Sequence, residues 1–421
     1  MRIAIFGLGY VGLTAAGCLT TQGHEVLGVD VSETKVEQVN AGLAPITEPG
    51  LDELISDAVK DGRLKATQKV ASGLDDCDIA IVCVGTPSAP DGSHNMSYIA
   101  EVSRQIAGAV TAGRAEPLTV VYRSTIRPGT LDQLVAPIFK SVLGETWEKA
   151  IELVYNPEFL RESVAIKDFF NPPKIVVGTK DGKPSTKMDA MNAGLDAPVF
   201  YTQFREAEFT KFVDNTFHAL KVAYANEIGR VCVKLGISAK KVHEIFISDT
   251  KLNISPYYLR PGGPFGGSCL PKDVRALQYI SGDVGAATHV VDSLIRSNEA
   301  HKHFLFEYCI ANLPPKAKVL MIGLAFKADS DDLRESPNLD LARKLLNQGF
   351  DLKIFDKALA PEKLVGQNLG YGIAHLPSMG ALLISEAEAT AGAFDIVIDT
   401  NGTSKNLALS STNVVFTNSL P

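Results

Sequence analysis

Short apolar runs bounded by small or polar residues recur along the first part of the chain, at 2–6, 25–30, 78–84, 118–122 and 151–155. Continuous runs of this kind read as parallel strands buried on both faces. Each ends in a turn signal: Gly7-Leu-Gly9-Tyr-Val-Gly12, Asp30, Gly85-Thr-Pro87, Arg123-Ser-Thr125 and Asn156-Pro-Glu-Phe159. A helical pattern through Cys18 and Leu19 separates the first two runs. Strand, glycine turn, helix, strand predicts a doubly wound sheet, in which the carboxyl ends of the strands line the ligand crevice. Any one of these endings is also ordinary turn chemistry; their succession points to a site.

The pattern then changes. From Arg205 to Leu235 there is no proline, which predicts one long helix stopped by Gly236. About 30 residues at 1.5 Å each reach about 45 Å, enough to bridge two domains. Glu208, Lys211, Asn215 and His218 recur on one face of it. Such a stripe reads first as a solvated face, and His218 is assigned there. A second helix is expected from Ala286 to Leu313, packed beside the first. After Pro314-Pro315 the strand pattern restarts: 318–327 echoes 2–9, 350–356 echoes the strand ending at Asp30, and 394–403 echoes the strand running into Gly85. The expected fold is therefore α/β, with two Rossmann-like doubly wound domains joined by a central helical region. Its divisions are 1–197, 198–300 and 301–421.

Two stretches carry candidate chemistry. In the first, Gly7, Gly9 and Gly12 permit a tight turn, close backbone approach to a pyrophosphate and close helix packing. Asp30 is placed to accept hydrogen bonds from an adenosine ribose and would repel a 2′-phosphate, so NAD is expected rather than NADP. The second half has Ala325 where Gly9 would fall and is expected to hold a different nucleotide. In the second stretch, Arg260-Pro-Gly-Gly-Pro-Phe265-Gly266-Gly-Ser-Cys269-Leu-Pro-Lys272-Asp273, a glycine-rich loop delivers a cysteine to the start of a helix. Pro271 suits a first helical turn. The helix dipole and nearby Lys272 favour a thiolate at Cys269. A tight loop around an inert buried cysteine fits the same residues, and the loop alone leaves both readings open.

Composition narrows the class. The chain has 421 residues, a length that expects two or three domains, and a net charge of −7. That charge offers no large positive field for nucleic acid or an acidic membrane. No apolar run reaches the roughly 20 residues needed to span a bilayer, and Met1 leads straight into a strand rather than a cleavable signal. Six scattered cysteines without a C-x-x-C pair argue against a metal site or a disulfide framework and fit a cytoplasmic location.

Two nucleotide folds, a loop cysteine and a Lys/Asn stripe together resemble the nucleotide-sugar 6-dehydrogenase family, which includes UDP-glucose and GDP-mannose dehydrogenases. The resemblance covers nearly the whole length. It is carried by Gly7–Gly12, Glu48-Pro-Gly-Leu51, Gly85-Thr86-Pro87, Ser124-Thr125, Asn156-Pro-Glu-Phe-Leu160, Glu206–Asn215, Phe265–Asp273, Gly323–Lys327 and Arg334-Glu-Ser336. It implies oxidation of a sugar C6 alcohol to a carboxylate with two NAD⁺ in turn, through a thiohemiacetal and a thioester on Cys269. By the same resemblance Lys211 and Asn215 stabilise charge on the C6 oxygen. Asp273 and Thr125 hold the reactive water, and Glu158 is a base, with Glu162 as its alternative.

On the cofactor side the resemblance implies Gly7, Gly9, Tyr10, Val11, Gly12, Asp30, Lys35, Gly85, Thr86, Thr125, Glu162, Lys272 and Arg334. On the substrate side it implies Glu158, Phe159, Leu160, Arg161, Lys211, Asn215, Tyr257, Tyr258, Arg260, Phe265, Gly266, Cys269 and Lys327. Arg260 is expected from a second subunit, and hence at least a homodimer. Residues 253–262 and the cysteine loop look most like the GDP-mannose branch. They depart from it at Gly263-Pro264, where that branch usually has an aromatic and then a small residue. UDP-glucose is the alternative substrate, and a two-electron hydroxyacid-type dehydrogenase the alternative chemistry.

Overall fold

The structure is a computed structural model and describes residues 1–70, 74–87, 95–111, 113–161, 163–255, 262–267, 269–328, 330–359 and 366–418. It divides into two compact units, Met1–His218 and Ala219–Pro421.

In the first unit the strands are β1 (Arg2–Phe6), β2 (Glu25–Val29), β3 (Leu64–Thr67), β4 (Ile79–Val82), β5 (Leu118–Tyr122), β6 (Ile151–Tyr155), β7 (Ile175–Thr179) and β8 (Val199–Gln203). The helices among them are α1 (Tyr10–Thr21), α2 (Glu33–Asn40), α3 (Leu51–Lys60), α4 (Ser97–Gly108), α5 (Ala136–Leu143), α6 (Ala165–Phe170) and α7 (Thr186–Met191). The strands form one sheet in the order β3-β2-β1-β4-β5-β6-β7-β8. All neighbours are parallel except β6 and β7. Alternate residues of β1 feed two cores: Ala4 and Phe6 join α4 and α5, while Ile3 and Ile5 join α1 and α3. Strands buried on both sides need no polar face, which is why their sequences are unbroken apolar runs. Strand order reverses between β1 and β4, and the crevice there is where a doubly wound fold binds its ligand.

The long helix α8 (Phe204–Lys234) has 31 residues and is followed by Gly236 at φ +68. The solvated-face reading of its stripe needs correction at one end. Glu208 is fully buried, and its carboxylate accepts the backbone N–H of Gly129 and, at 2.9 Å, that of Leu131. Burial pushes its carboxyl up, against those hydrogen bonds. Lys211 is also buried, whereas Asn215 and His218 are exposed.

In the second unit α9 (Ala239–Ile247) and α10 (Leu270–Asp283) precede α11 (His289–Ile310). Glu227 of α8 caps α11 by accepting from Val290 and Val291 at 2.8 and 3.1 Å. Next come β9 (Lys318–Ile322), α12 (Pro337–Asn347), β10 (Asp351–Phe355), α13 (Gly366–His375), α14 (Met379–Leu382), α15 (Glu386–Ala391), β11 (Ile396–Asp399) and β12 (Val414–Phe416). The parallel sheet β10-β9-β11-β12 repeats the topology of β2-β1-β4-β5. The repeat extends to single bonds. Gly7 and Gly323 have φ of +93 and +90, and their amides donate to Val29 and Phe355 at 2.7 and 2.9 Å. Leu8 donates to Asp30 at 2.8 Å, and Leu324 to Asp356 at 2.7 Å.

Candidate active site

The glycine turn after β1 is shaped from below. A Cβ on Gly7 would meet the Cys83 carbonyl oxygen at 2.9 Å, and one on Gly12 would collide with the Gly7 carbonyl. Above Gly9 an added Cβ would meet nothing within 4 Å. Gly9 caps α1 without a side-chain bond, and the space above it opens onto the first turn of the helix. This open cradle at a helix N-terminus fits a dinucleotide pyrophosphate. Asp30 stands beside it, 8 % exposed. Its carboxylate accepts the amides of Leu8 and Ser32 at 2.8 and 2.9 Å, and Lys35 Nζ lies 3.4 Å away. The cavity over the turn is lined by Gly7, Gly9, Asp30, Lys35, Gly85 and Tyr98, among others. Thr86 joins the ends of β4 and β5 by donating to the Thr125 carbonyl at 2.8 Å.

At the end of β6 the chain turns through Asn156–Arg161. Lys211 reaches in from α8 and places Nζ 2.9 Å from Glu158 Oε1 and 2.7 Å from the Glu158 carbonyl. The other oxygen of that carboxylate accepts the Leu160 amide at 2.7 Å. Phe159 offers its ring to Lys174 and Lys211, at 4.6 and 5.6 Å from the centroid. Arg161 turns away and is bound bidentately by Asp168, at 2.9 and 2.7 Å. The first unit thus gathers Glu158, Phe159, Leu160 and Lys211, with Asn215 one turn further along α8.

The second unit holds the cysteine loop. Cys269 is the residue preceding α10, with Pro271 in the first turn, where its missing N–H leaves no helical bond unmade. Cys269 is exposed, whereas Cys18, Cys77, Cys232 and Cys309 are buried and Cys83 partly so. Burial pushes the thiols of Cys18, Cys83 and Cys309 up to about 12, which makes them poor nucleophiles. The loop is clamped from α11. Asn298 accepts the Phe265 amide at 2.9 Å and donates to the Phe265 carbonyl at 2.8 Å. One turn later His301 Nε2 lies 2.6 Å from the Gly262 carbonyl oxygen.

Glycines let the loop approach its neighbours. A Cβ on Gly266 would run into the Glu335 carbonyl and Pro337, and one on Gly267 would meet Phe326 at 2.9 Å. Contact with Phe326 and Glu335 sets the segments carrying Lys327 and Arg334 against the cysteine loop. Asp332 holds Arg334 at 2.9 and 2.8 Å and raises its pKa, with a smaller contribution from the nearby Cys269 sulfur. Lys272 and Asp273 pair at 3.3 Å on the exposed face of α10. Glu162, Tyr257, Tyr258 and Arg260 lie outside the described residues.

Residues 1–195, 205–300 and 320–402 match, in turn, the NAD binding, central and UDP binding domains of the UDP-glucose/GDP-mannose dehydrogenase family. The chain belongs to this family. Members of the UDP-glucose/GDP-mannose dehydrogenase family similar to it include GDP-mannose 6-dehydrogenase of Pseudomonas putida, 42% identical over 94% of this chain and 90% of the relative. UDP-glucose 6-dehydrogenase YwqF of Bacillus subtilis is 34% identical over 85% of this chain and 79% of the relative. Among solved structures, a ternary complex of GDP-mannose dehydrogenase from Pseudomonas aeruginosa is 40% identical and superposes with a TM-score of 0.92, covering 99% of this chain and 96% of the other. A UDP-glucose dehydrogenase from Pyrobaculum islandicum is 31% identical with a TM-score of 0.57, over 99% and 94% of the two chains. Residues 1–195 are thus the NAD-binding domain of an NAD-dependent nucleotide-sugar dehydrogenase. Among the described residues no group of histidine, cysteine and acidic side chains could hold a metal ion, and no helix is long and apolar enough to cross a membrane.

Sequence reasoning did not find the clamp of Asn298 and His301, the capping role of Glu227 or the burial of Glu208. At Asn298 the available signal was a polar side chain among the buried Val291, Leu305 and Cys309 of α11, and that signal does not say what lies opposite.

Proposed function

We propose that the protein oxidises the C6 alcohol of GDP-mannose to the carboxylate of GDP-mannuronate. Two NAD⁺, bound in turn, would each supply the acceptor for one hydride. In this reading Glu158 takes the proton of the C6 hydroxyl, and Lys211 and Asn215 stabilise the negative oxygen. The Cys269 sulfur then adds to the aldehyde carbon, giving a thiohemiacetal whose oxidation leaves a thioester. Water held by Thr125 and Asp273 cleaves the thioester, releasing the acid and regenerating the thiol. Keeping the half-oxidised sugar on sulfur prevents escape of a reactive aldehyde.

The observation that carries this reading is the exposure of Cys269 alone among the described cysteines, at the head of a helix and on a loop clamped at Gly262 and Phe265. GDP-mannose is preferred to UDP-glucose because the GDP-mannose dehydrogenase structure matches the full chain far better than the UDP-glucose enzyme does. The division 1–197, 198–300 and 301–421 is supported by the three matched segments. A homodimer is supported by the apolar stripe of Phe209, Val213, Phe217 and Leu220, exposed along α8, since such a stripe calls for a cover.

The deciding assay follows NADH release with GDP-mannose, UDP-glucose and UDP-N-acetylmannosamine side by side. Two NADH per GDP-mannose, no free aldehyde and no acid from Cys269→Ala are expected. One NADH per sugar, or an active alanine variant, overturns the mechanism.

A further inference from the structure

Glu48 has no role in the reading above, yet it is a buried carboxylate near the cofactor turn with three hydrogen-bond donors. It sits in the Glu48-Pro49-Gly50 turn before α3 and is 5 % exposed. Its Oε2 accepts the hydroxyl of Tyr10 and the amide of Ser163, the latter at 2.8 Å. Its Oε1 accepts the amide of Ala165 at 2.8 Å. Although burial favours the neutral acid, the bonds from Tyr10, Ala165 and Ser163 outweigh it and hold the carboxyl below its ordinary range.

The three donors belong to two parts of the site. Tyr10 is the first residue of α1, next to Gly9 of the cradle, and its hydroxyl reaches Glu48. Its hydroxyl also lies 3.4 Å from the Arg161 carbonyl. Ser163 has a φ of +70, a left-handed conformation that a residue with a Cβ adopts only where its surroundings impose it. Ala165 opens α6, and its amide has no helical acceptor. The segment from Glu158 to Ala165 is therefore pinned at Glu158 by Lys211, at Arg161 by Asp168, and at Ser163 and Ala165 by Glu48. Of these pins, Glu48 is the one that leads back to the dinucleotide turn.

We infer that Glu48 is a positioning residue that couples the two ligands, transmitting the fixing of Tyr10 by bound dinucleotide to the segment carrying Glu158. A ligand that orders Tyr10 orders Glu48 and, through it, Ser163 and Ala165, so the nucleotide sugar meets a segment already set. Coupling of this kind is reciprocal: the sugar nucleotide tightens dinucleotide binding by the same factor. This inference rests on the nucleotide-sugar reading of the Glu158 segment.

The test uses NADH, which forms a dead-end pair with the sugar substrate and cannot turn over. NADH is titrated calorimetrically into the protein alone and into protein saturated with whichever nucleotide sugar the NADH-release assay selects. Unmodified protein is expected to bind NADH about fivefold or more tightly when the sugar is present. Glu48→Gln brings that factor close to one while the Kd for NADH alone stays within about twofold, and Tyr10→Phe, which removes one hydroxyl, likewise abolishes the coupling. A merely structural role would lower stability without abolishing the coupling factor. No coupling in the unmodified protein, or full coupling in Tyr10→Phe, overturns the inference and leaves the NADH stoichiometry untouched. Loss of the two-NADH stoichiometry would instead sink the mechanism.

Discussion

Lys211 binds Glu158 twice, through the side-chain carboxylate at 2.9 Å and the backbone carbonyl at 2.7 Å. The pair is nearly dry, with side-chain exposures of 11% and 14%. A cation anchored to a carbonyl as well as a carboxylate is held in place from two sides. The two bonds therefore fix both the ammonium and the carboxylate.

Lys211→Ala is expected to lower kcat by about 10²- to 10³-fold, the usual cost of losing one preorganised donor in a protected site. The KM for the nucleotide sugar should change much less. Lys211→Arg should not restore the rate, because a planar fork cannot take the place of one ammonium directed at two oxygens. Steady-state kinetics on both variants check this; a matching rise in KM with kcat intact would show that Lys211 only binds.

Asp30 and Lys35 are expected together to set cofactor choice. Asp30→Asn removes the charge opposing a 2′-phosphate and releases Lys35, now 3.4 Å from the carboxylate. The ratio of kcat/KM for NAD to that for NADP should fall by about tenfold or more, equivalent to about 1.4 kcal/mol. Nucleotide-sugar binding, measured alone, should stay unchanged.

Asn298→Ala leaves the Phe265 amide and carbonyl without their partners, at an expected loss of about 1–3 kcal/mol. The consequence should reach the sulfur four residues later. The rate of Cys269 alkylation by iodoacetamide should change, and kcat should fall with little change in the KM for NAD. Unchanged alkylation would mean that the loop is held without the clamp.

Asp168 gives a pH signature. Hydrogen bonds from the Arg161 side chain hold its carboxyl below the usual range, while burial opposes them. A depressed folded value means that the ionised group adds stability above the unfolded value, about 3.9, and that this is lost as pH falls through the folded value. Asp168→Asn should therefore have a lower apparent Tm than the native protein at pH 7, and the gap should narrow below about pH 4. A gap independent of pH would contradict the assignment.

The residues alone determined a good deal. Strands buried on both faces are largely apolar runs, so β1, β2, β4, β5 and β6 and their echoes β9 and β11 could be read directly, and β10 as the echo of β2 despite its Asp351 and Lys353. The length of α8 followed from a span without proline before Gly236, and the cofactor turn from glycines whose spacing permits little else. Outside this set were β3, β7, β8 and β12, short or peripheral strands whose residues do not carry the pattern of a central one. What only the tertiary structure decided was where polar side chains go. Glu208 and Asn215 occupy the same helical stripe, yet one is sealed against the amides of Gly129 and Leu131 and the other faces outward. Helical periodicity says which residues share a face but not what covers it. The partners of Glu208 and Asn298, and two of the three of Glu48, are backbone groups dozens of residues away, and a backbone amide leaves no mark in a sequence.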